Sequence, residues 1–292
     1  MQVQRVYPAF WQGAGLVVLY IALQLVFGFI FSSGILEMSA GMDISMLGMT
    51  LVSAGAATIV TAIGACNVRA RKLMPFVGRW MSFLPGAAIL SLGISMVCLV
   101  PLDLVTELSP FLRELAEELG AIQADGATLI VVICLIGPLI EECLFRGILW
   151  WGFEANYGPR KALILTTVLF ALCHLNPIQF IPGIFVGLLL AWLRWHTGSL
   201  YPCVVVHVIY NSIVVSMSMY IPEGISLFTG RTILGVPGWA VAVMVVLGGG
   251  LLLDLGLRVI RRLPAPCLTA DEGPKAAGGH NRRRPAAGES AR

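Results

Sequence analysis

Apolar residues along this chain are grouped into long runs that short polar segments separate. A helix needs about 20 apolar residues to cross the hydrocarbon core of a bilayer. On that scale the runs predict about eight membrane helices, at approximately 9–31, 46–66, 82–102, 128–151, 160–175, 178–195, 201–220 and 237–259. The pattern predicts an all-α, polytopic membrane domain over residues 1–263, with a kinked or partly re-entrant link at "HLNPIQFIPG" between the fifth and sixth helices.

Composition supports a membrane protein. Of the 292 residues, 58% are hydrophobic and 12% are charged, whereas a soluble domain carries about 25% charged residues. The net charge of +3 gives no indication of a nucleic-acid partner. Seven cysteines are scattered without a C-x-x-C motif, so they are interpreted as small buried side chains, not as disulfide partners.

The positive residues predict the orientation of the helices, because Lys and Arg accumulate in short cytoplasmic loops. In the eight-helix arrangement one side carries Arg5, "RARK" at 69–72, Arg79, Arg160, Lys161, Arg194 and "RVIRR" at 258–262. The opposite side carries Glu37, Asp43, Asp103, Glu107, Glu114, Glu117, Glu118 and Asp125, with Arg113 and Arg231. Both termini are therefore predicted to be cytoplasmic.

Two segments outside the apolar runs have distinct compositions. Residues 108–122 place apolar side chains at helical spacing among acidic ones, which predicts an amphipathic helix on the outer surface. It serves either as a solvated connector or as a substrate-docking element. The tail at 264–292 is rich in Gly, Ala, Pro and Arg, which predicts a disordered cytoplasmic segment.

The fourth apolar run, "LIVVICLIGPLIEECLFRGILWW", contains three charged residues, Glu141, Glu142 and Arg146. A charge near the bilayer centre costs about 3 kcal/mol on insertion scales, so such residues usually mark a function. Glu142 and Arg146 are four residues apart and can pair on one helix face. Glu141 points about 100° away, so we expect it to be the glutamate that is free to react.

Three further polar side chains lie in later apolar runs: His174 in "LFALCH", and His207 and Asn211 in "CVVVHVIYNS". Glu141 can act on water as a general base, with His174 orienting that water. His207 and Asn211, four residues apart on one helix face, can donate hydrogen bonds to the oxyanion that forms when water attacks a peptide carbonyl. Phe170, one turn before His174, is expected to form a wall of the same cavity.

Three motifs in order carry a family resemblance. "EECLFR" fits E-E-x-x-x-R, "FALCH" fits F-x-x-x-H, and "HVIYN" fits H-x-x-x-N. With the connecting text "QFIPGIFVGLLLAWLRWHTGSLYPCVVVH", residues 128–215 resemble the CPBP family of intramembrane proteases, which includes CAAX prenyl endopeptidases, bacteriocin-processing enzymes and bacterial relatives.

The resemblance implies an endopeptidase that hydrolyses a peptide bond in the membrane without a metal. It implies an active site between the fourth, fifth and seventh helices, with Glu141 as general base and His174 as its partner. His207 and Asn211 would form the oxyanion site, with Glu142 and Arg146 as supporting residues. The Ala, Gly and Arg bias of the tail is typical of a GC-rich bacterial genome, so we expect the bacterial inner membrane. The expected substrate is a protein or peptide, such as one with a transmembrane or C-terminal sorting helix.

Alternatives come from the same residues. Glu141, His174 and His207 have the composition of a catalytic zinc site, although no H-E-x-x-H motif is present. Cys143 and Cys173 are candidate nucleophiles, but sequence neighbours on a helix do not face each other. Buried acidic and histidine residues also serve proton relays, which leaves a non-proteolytic scaffold or a transporter open.

Overall fold

The computed structural model describes residues 5–32, 60, 80–114, 129–175, 177–220, 232–233 and 236–262. Seven helices carry most of these residues. They are α1 (Phe10–Ser32), α2 (Trp80–Leu108), α3 (129–157), α4 (Pro159–Leu172), α5 (Pro177–Thr197), α6 (Tyr201–Tyr220) and α7 (Gly238–Arg261). Two short antiparallel strands, β1 (Thr232–Ile233) and β2 (Val236–Pro237), precede α7.

The helix α3 is continuous but changes its hydrogen-bond register. It consists of a π-helical segment Leu129–Ile136, an α-helical segment Gly137–Glu142, a second π-helical segment Cys143–Leu149 and an α-helical end, Trp150–Tyr157. The backbone stays right-handed and helical at each junction. Segments of π-helix are rare and frequent at functional sites, and here the change of register falls immediately after Glu142.

The helices have the apolar character of a membrane protein. By length and composition, three described helices could cross a bilayer: Phe83–Leu108, Pro177–Thr197 and Gly238–Arg261. Phe10–Val26 and Tyr201–Met217 are shorter apolar stretches. On α7, Leu247 is 62% exposed and Leu251 is 71% exposed, as expected for side chains that face lipid.

Most predicted segments within the described residues have a matching helix. The runs at 9–31, 201–220 and 237–259 end within two residues of α1, α6 and α7. Two predictions were too short, since α2 continues to Leu108 and α3 continues to Tyr157, where Gly158 takes a φ of +81°. The run at 160–175 was too long, because α4 ends at Leu172. At the predicted link, α5 is helical from Pro177 and continues through Pro182.

Several predictions fall on residues outside the described ranges. These are all of the second membrane segment, 46–66, apart from residue 60, the part of the amphipathic segment beyond residue 114, and the tail at 264–292. They stay predictions, as does the division into a membrane domain over 1–263 and a tail.

The buried side chains form two clusters. The first, here called the α3 cluster, joins α1, α3 and α4 around Leu16, Leu144, Phe145, Leu149, Phe153 and Phe170. The second, here called the α2 cluster, joins α2, α5, α6 and α7 around Phe83, Leu90, Ile94, Leu190, Val206 and Ile260. The candidate site lies where α6 approaches α3, so both clusters position it.

Candidate active site

Glu142 is the centre of a buried polar network. Its Oε1 accepts a hydrogen bond from Arg146 Nη1 at 2.9 Å and lies 2.9 Å from His207 Nδ1. The side chains of Glu142 and Arg146 are fully buried, and that of His207 is 4% exposed. The predicted ion pair between Glu142 and Arg146 is confirmed. The contact with His207 was not predicted, and it ties α6 to α3.

Arg146 extends the network to two more helices. Its Nη2 donates a hydrogen bond to the Gly187 carbonyl oxygen on α5 at 3.1 Å. Its guanidinium carbon lies 4.4 Å from the ring centroid of Phe170 on α4, a cation–π distance. Arg194 Nε in turn donates to the Arg146 carbonyl oxygen at 2.9 Å. One arginine therefore fixes the spacing of α3, α4 and α5.

Gly187 and Arg194 were missed as supporting residues. Arg194 was interpreted as a cytoplasmic charge, but it lies in the last turn of α5 and is only 7% exposed. A signal was present, because an arginine at the end of an apolar helix can extend back into the protein. The contact of Arg146 with the Gly187 carbonyl could not be predicted from the sequence, because every residue has a backbone carbonyl oxygen.

Glu141 and His207 face each other across a short gap. Glu141 Oε2 lies 3.8 Å from His207 Nε2, and the Glu141 side chain is 19% exposed. Because an ionised carboxylate only accepts hydrogen bonds, the hydrogen on His207 Nδ1 is directed at Glu142. The other ring nitrogen, Nε2, is then presented to Glu141. The two adjacent glutamates thus approach opposite nitrogens of one imidazole. They share His207 as a neighbour, whereas their separation of about 100° on the helix suggested two different neighbours.

His174 lies in the turn that follows α4. Its Nδ1 is 2.9 Å from the Phe170 carbonyl oxygen, and because a carbonyl only accepts, Nδ1 carries the hydrogen. In the neutral ring Nε2 is therefore the basic nitrogen. The Phe170 ring makes edge contacts with both histidines, at centroid distances of 5.1 Å to His174 and 5.7 Å to His207. Phe170 thus lies against both imidazoles, as a wall of the site should.

Asn211 contacts α3 one turn beyond His207. Its Nδ2 donates a hydrogen bond to the Ile133 carbonyl oxygen at 2.9 Å. Ile133 is eight residues before Glu141 on the same helix. Asn211 and His207 therefore both lie on the side of α6 that meets α3, as their four-residue spacing predicted.

The structure also places the residues of the two alternative sites, a cysteine nucleophile and a zinc site. The Cys173 thiol lies 3.0 Å from the Phe170 carbonyl oxygen and 3.6 Å from His174 Nδ1. The prediction that these neighbours do not approach each other was wrong, because both follow the end of α4 and lie in a turn. However, the His174 nitrogen that the thiol approaches already bonds to Phe170. Among the described residues, no three His, Cys, Asp or Glu side chains are grouped so as to hold a metal ion.

Fold and site together define a helical membrane protein with a buried glutamate, histidine and arginine network. Comparison with known proteins then confirms the family resemblance. Residues 123–213 match the family model described as "Type II CAAX prenyl endopeptidase Rce1-like". The chain is also 34% identical over 103 residues to the membrane-embedded CAAX protease MroQ of Staphylococcus aureus (strain USA300), covering 33% of this chain and 41% of that protein. No solved structure matches the chain.

Proposed function

We propose that this protein is an intramembrane endopeptidase that hydrolyses a peptide bond with a water activated by Glu141. The observation that carries the proposal is the 3.8 Å distance between Glu141 Oε2 and His207 Nε2. These two groups lie next to the fully buried ion pair of Glu142 and Arg146. Burying charged side chains carries a desolvation cost that their mutual attraction barely offsets, so we infer that these charges are kept for a use in the site. The match to CAAX-type proteases over the same residues supports a hydrolytic use.

In the first step Glu141 takes a proton from water, and the hydroxide adds to the scissile carbonyl carbon. Glu141 suits this role because Arg146 is bonded to Glu142, which leaves the Glu141 side chain, 19% exposed, to meet water. His174 accepts a hydrogen bond from the same water through Nε2 and so orients it. Base catalysis of this kind contributes about 10²- to 10⁴-fold to a rate.

In the second step the negative charge that develops on the carbonyl oxygen is stabilised by donors from α6. His207 donates to this oxygen from Nε2, while Glu142 holds the opposite ring nitrogen, Nδ1, at 2.9 Å. Asn211 donates from the amide group that α3 orients through Ile133. Prearranged donors of this type are worth about 3 kcal/mol each.

In the last step the carbon–nitrogen bond breaks, and Glu141 returns its proton to the leaving amine. A new carboxylic acid and a new amine are the products, and no covalent intermediate forms on the protein. Phe170 contributes by covering Arg146 and packing against both imidazoles. Each predicted residue is thereby given a role that its contacts permit.

The setting is a bacterial inner membrane with about eight spanning helices and both termini in the cytoplasm. The helices α3, α4 and α6, which carry the motifs, correspond to the predicted fourth, fifth and seventh helices. The substrate is a peptide or protein that enters the bilayer, such as one with a transmembrane or C-terminal sorting helix. A helical apolar substrate is suited to a site whose walls are themselves membrane helices.

The decisive experiment compares protein termini in membrane and secreted fractions of the native host, wild type against Glu141→Gln. The variant keeps the shape of the side chain and removes the base, so we expect at least a hundredfold loss of processing with a normal amount of folded protein. Glu107→Gln is the matched control, because Glu107, in the last turn of α2, pairs at 2.8 Å with the exposed side chain of Arg113, which follows that helix. Processed termini that persist in Glu141→Gln would refute the role of Glu141.

The same assay distinguishes the alternatives. Deleting the gene can cause a defect that has nothing to do with processed termini. If the Glu141→Gln protein restores the normal phenotype as well as wild type does, the protein acts without this base. If a chelator removes the processing and added zinc restores it, Glu141, His174 and His207 act as zinc ligands. We expect processing to be insensitive to chelators, because the proposed chemistry uses no metal.

A further inference from the structure

A side chain of α5 donates a hydrogen bond to the backbone of α3 in the middle of that helix. Arg194 Nε lies 2.9 Å from the Arg146 carbonyl oxygen, and the two residues are 7% and 0% exposed. In an α-helix that carbonyl would accept a hydrogen bond from the N–H four residues later. A donor from another helix at this position therefore indicates that the local backbone pattern is not that of an α-helix.

The π-helical segment of α3 accounts for the open carbonyl. In an α-helix the Trp150 N–H would donate to the Arg146 carbonyl oxygen. Here it donates instead to the carbonyl oxygens of Phe145 and Gly147, and the bond to Phe145 spans five residues, as in a π-helix. In membrane helices, backbone groups that such a change frees are bonded by neighbouring helices. Arg194 supplies that bond here.

The register of this segment affects how Arg146 meets the site. A π-helical bond encloses one residue more than an α-helical bond, and one residue corresponds to about 100° of rotation. A return to the α-helical register would therefore turn the end of the segment by about 100° relative to Glu142. The 2.9 Å bond between Arg146 Nη1 and Glu142 Oε1 joins a residue before the segment to one inside it, so it depends on the register. The same oxygen lies 2.9 Å from His207 Nδ1.

The helix α5 holds Arg146 at two points. Gly187 and Arg194 are seven residues apart, about two helical turns, so they lie on one face of α5. The Gly187 carbonyl oxygen accepts from Arg146 Nη2 at 3.1 Å, and Arg194 donates to the Arg146 backbone. The side chain and the main chain of one residue are thus both bonded to the same face of the neighbouring helix.

We propose that Arg194 is a positioning residue, whose bond to the Arg146 carbonyl holds the π-helical register of α3. This register keeps Arg146 on Glu142, and Glu142 beside His207. Arg194 acts through the backbone of α3 and not on the reacting groups themselves, since the segment begins directly after Glu142. The effect on processing rests on the function proposed above, whereas the hold on the register does not.

The hydrogen bond is tested by nuclear magnetic resonance on the full chain in lipid nanodiscs. Gly147 is the one glycine of the sequence that directly follows an arginine. Arginine labelled at its carbonyl carbon and glycine labelled at its nitrogen therefore give a single cross peak, which belongs to the peptide bond between Arg146 and Gly147. Arg194→Met removes the donor and keeps an apolar stem, so we expect the cross peak to move in the carbon dimension.

The positioning role is tested on the same variant by labelling the histidine ring nitrogens. The His207 signals are assigned by their loss in His207→Gln, and we expect them to move in Arg194→Met. In the terminus comparison Arg194→Met should slow processing about tenfold, as for a lost hydrogen bond to a charged group. Arg261→Met is the matched control, because the exposed Arg261 of α7 contacts α5 through the Trp192 ring, at 5.5 Å. It should leave the cross peak, the His207 signals and processing unchanged.

Arg194→Lys guards against a general loss of folding, because it keeps a cation at the buried position. Its compact ammonium does not reproduce the planar guanidinium, so the cross peak should still move, and processing should slow less than in Arg194→Met. A cross peak that stays in place in both Arg194 variants would overturn the proposal, as would unmoved His207 signals beside a moved cross peak. If both sets of signals move but the wild-type protein processes no terminus, the hold on the register stands and the proteolytic function fails.

Discussion

The helices around Glu142 and the helices around Gly93 are held together by opposite kinds of contact. In the first region a fully buried Glu142 and Arg146 join α3 to α4, α5 and α6 through hydrogen bonds. In the second, α2 and α7 meet at Gly93 and Gly249, where a Cβ on either residue would lie 2.9 Å from the carbonyl oxygen of the other. Charges and the hydrogen bonds between them hold one region, and close approach of the backbones holds the other.

These two kinds of contact have different roles: the polar contacts around Glu142 relate to function, and the glycine contacts relate to the assembly of the helices. Close approach of small residues is the ordinary way for membrane helices to pack, and it needs no charge. A buried ion pair contributes little net stability because desolvation offsets its attraction. Among the described residues Glu142 Oε2 and Arg146 Nε also lack hydrogen-bond partners. A network that is costly to bury and not fully hydrogen-bonded fits the catalytic role proposed above, whereas the contact between α2 and α7 needs only a role in packing.

The largest effect is expected from breaking the buried pair. Arg146→Ala leaves Glu142 buried without its cation, which typically costs about 3–5 kcal/mol, so little folded protein should be recovered from the membrane. The control is Arg258→Ala, because Arg258 pairs with Asp254 at the same four-residue spacing and 2.7 Å, but with side chains 66% and 55% exposed. An exposed pair of this kind is worth about 0–1 kcal/mol. Thermal unfolding in detergent measures both.

A double variant sharpens that result. Glu142→Leu with Arg146→Met replaces the pair by apolar side chains, so it should recover folded protein while processing stays lost, since His207 no longer has its carboxylate partner. Normal folding of Arg146→Ala alone would show that the pair does not support the structure.

The local features of this network were predictable from the sequence, and its long-range features were not. The pair of Glu142 and Arg146 follows from their spacing on one helix. The contact of Glu142 with His207 joins residues 65 positions apart, and it depends on how α6 packs against α3. The approach of Cys173 to His174 depends on α4 ending at Leu172, two residues before the histidine.

Among the helices, too, some features could be predicted from the sequence and others could not. Apolar runs gave good bounds for α6 and α7, because lipid exposure imposes the same composition along the whole helix. The π-helical register of α3 was not predicted, since its apolar sequence fits either kind of helix.

A smaller effect is expected at the glycine contact between α2 and α7. Gly249→Ala places a Cβ 2.9 Å from the Gly93 carbonyl oxygen, so the helices must separate at a cost of about 1–3 kcal/mol. Gly250→Ala is the adjacent control, because nothing lies within 4 Å of its added Cβ, and alanine favours a helix by about 1 kcal/mol. The two variants should therefore change thermal stability in opposite directions. A stabilising Gly249→Ala would show that the close approach does not limit packing.

The smallest effect is expected where the α2 cluster meets the site helix. Ser91 on α2 is buried, and its hydroxyl hydrogen is shared between the Ala87 carbonyl oxygen at 2.8 Å and the Val206 carbonyl oxygen on α6 at 3.0 Å. Ser91→Ala should cost about 0.6 kcal/mol, the typical value for an interhelical hydrogen bond in a membrane protein. Ser95→Ala is the control, since the Ser95 hydroxyl bonds to Ser91 O on its own helix at 2.8 Å.

Because Val206 directly precedes His207, the loss of the Ser91 bond should affect more than stability. We expect processing to slow by a small factor in Ser91→Ala, as α6 gains freedom next to the imidazole, and to stay at the wild-type rate in Ser95→Ala. Thermal unfolding and the terminus comparison, made on the same membranes, separate the two effects. Equal processing rates in both serine variants would mean that α2 supports the fold without helping to position His207.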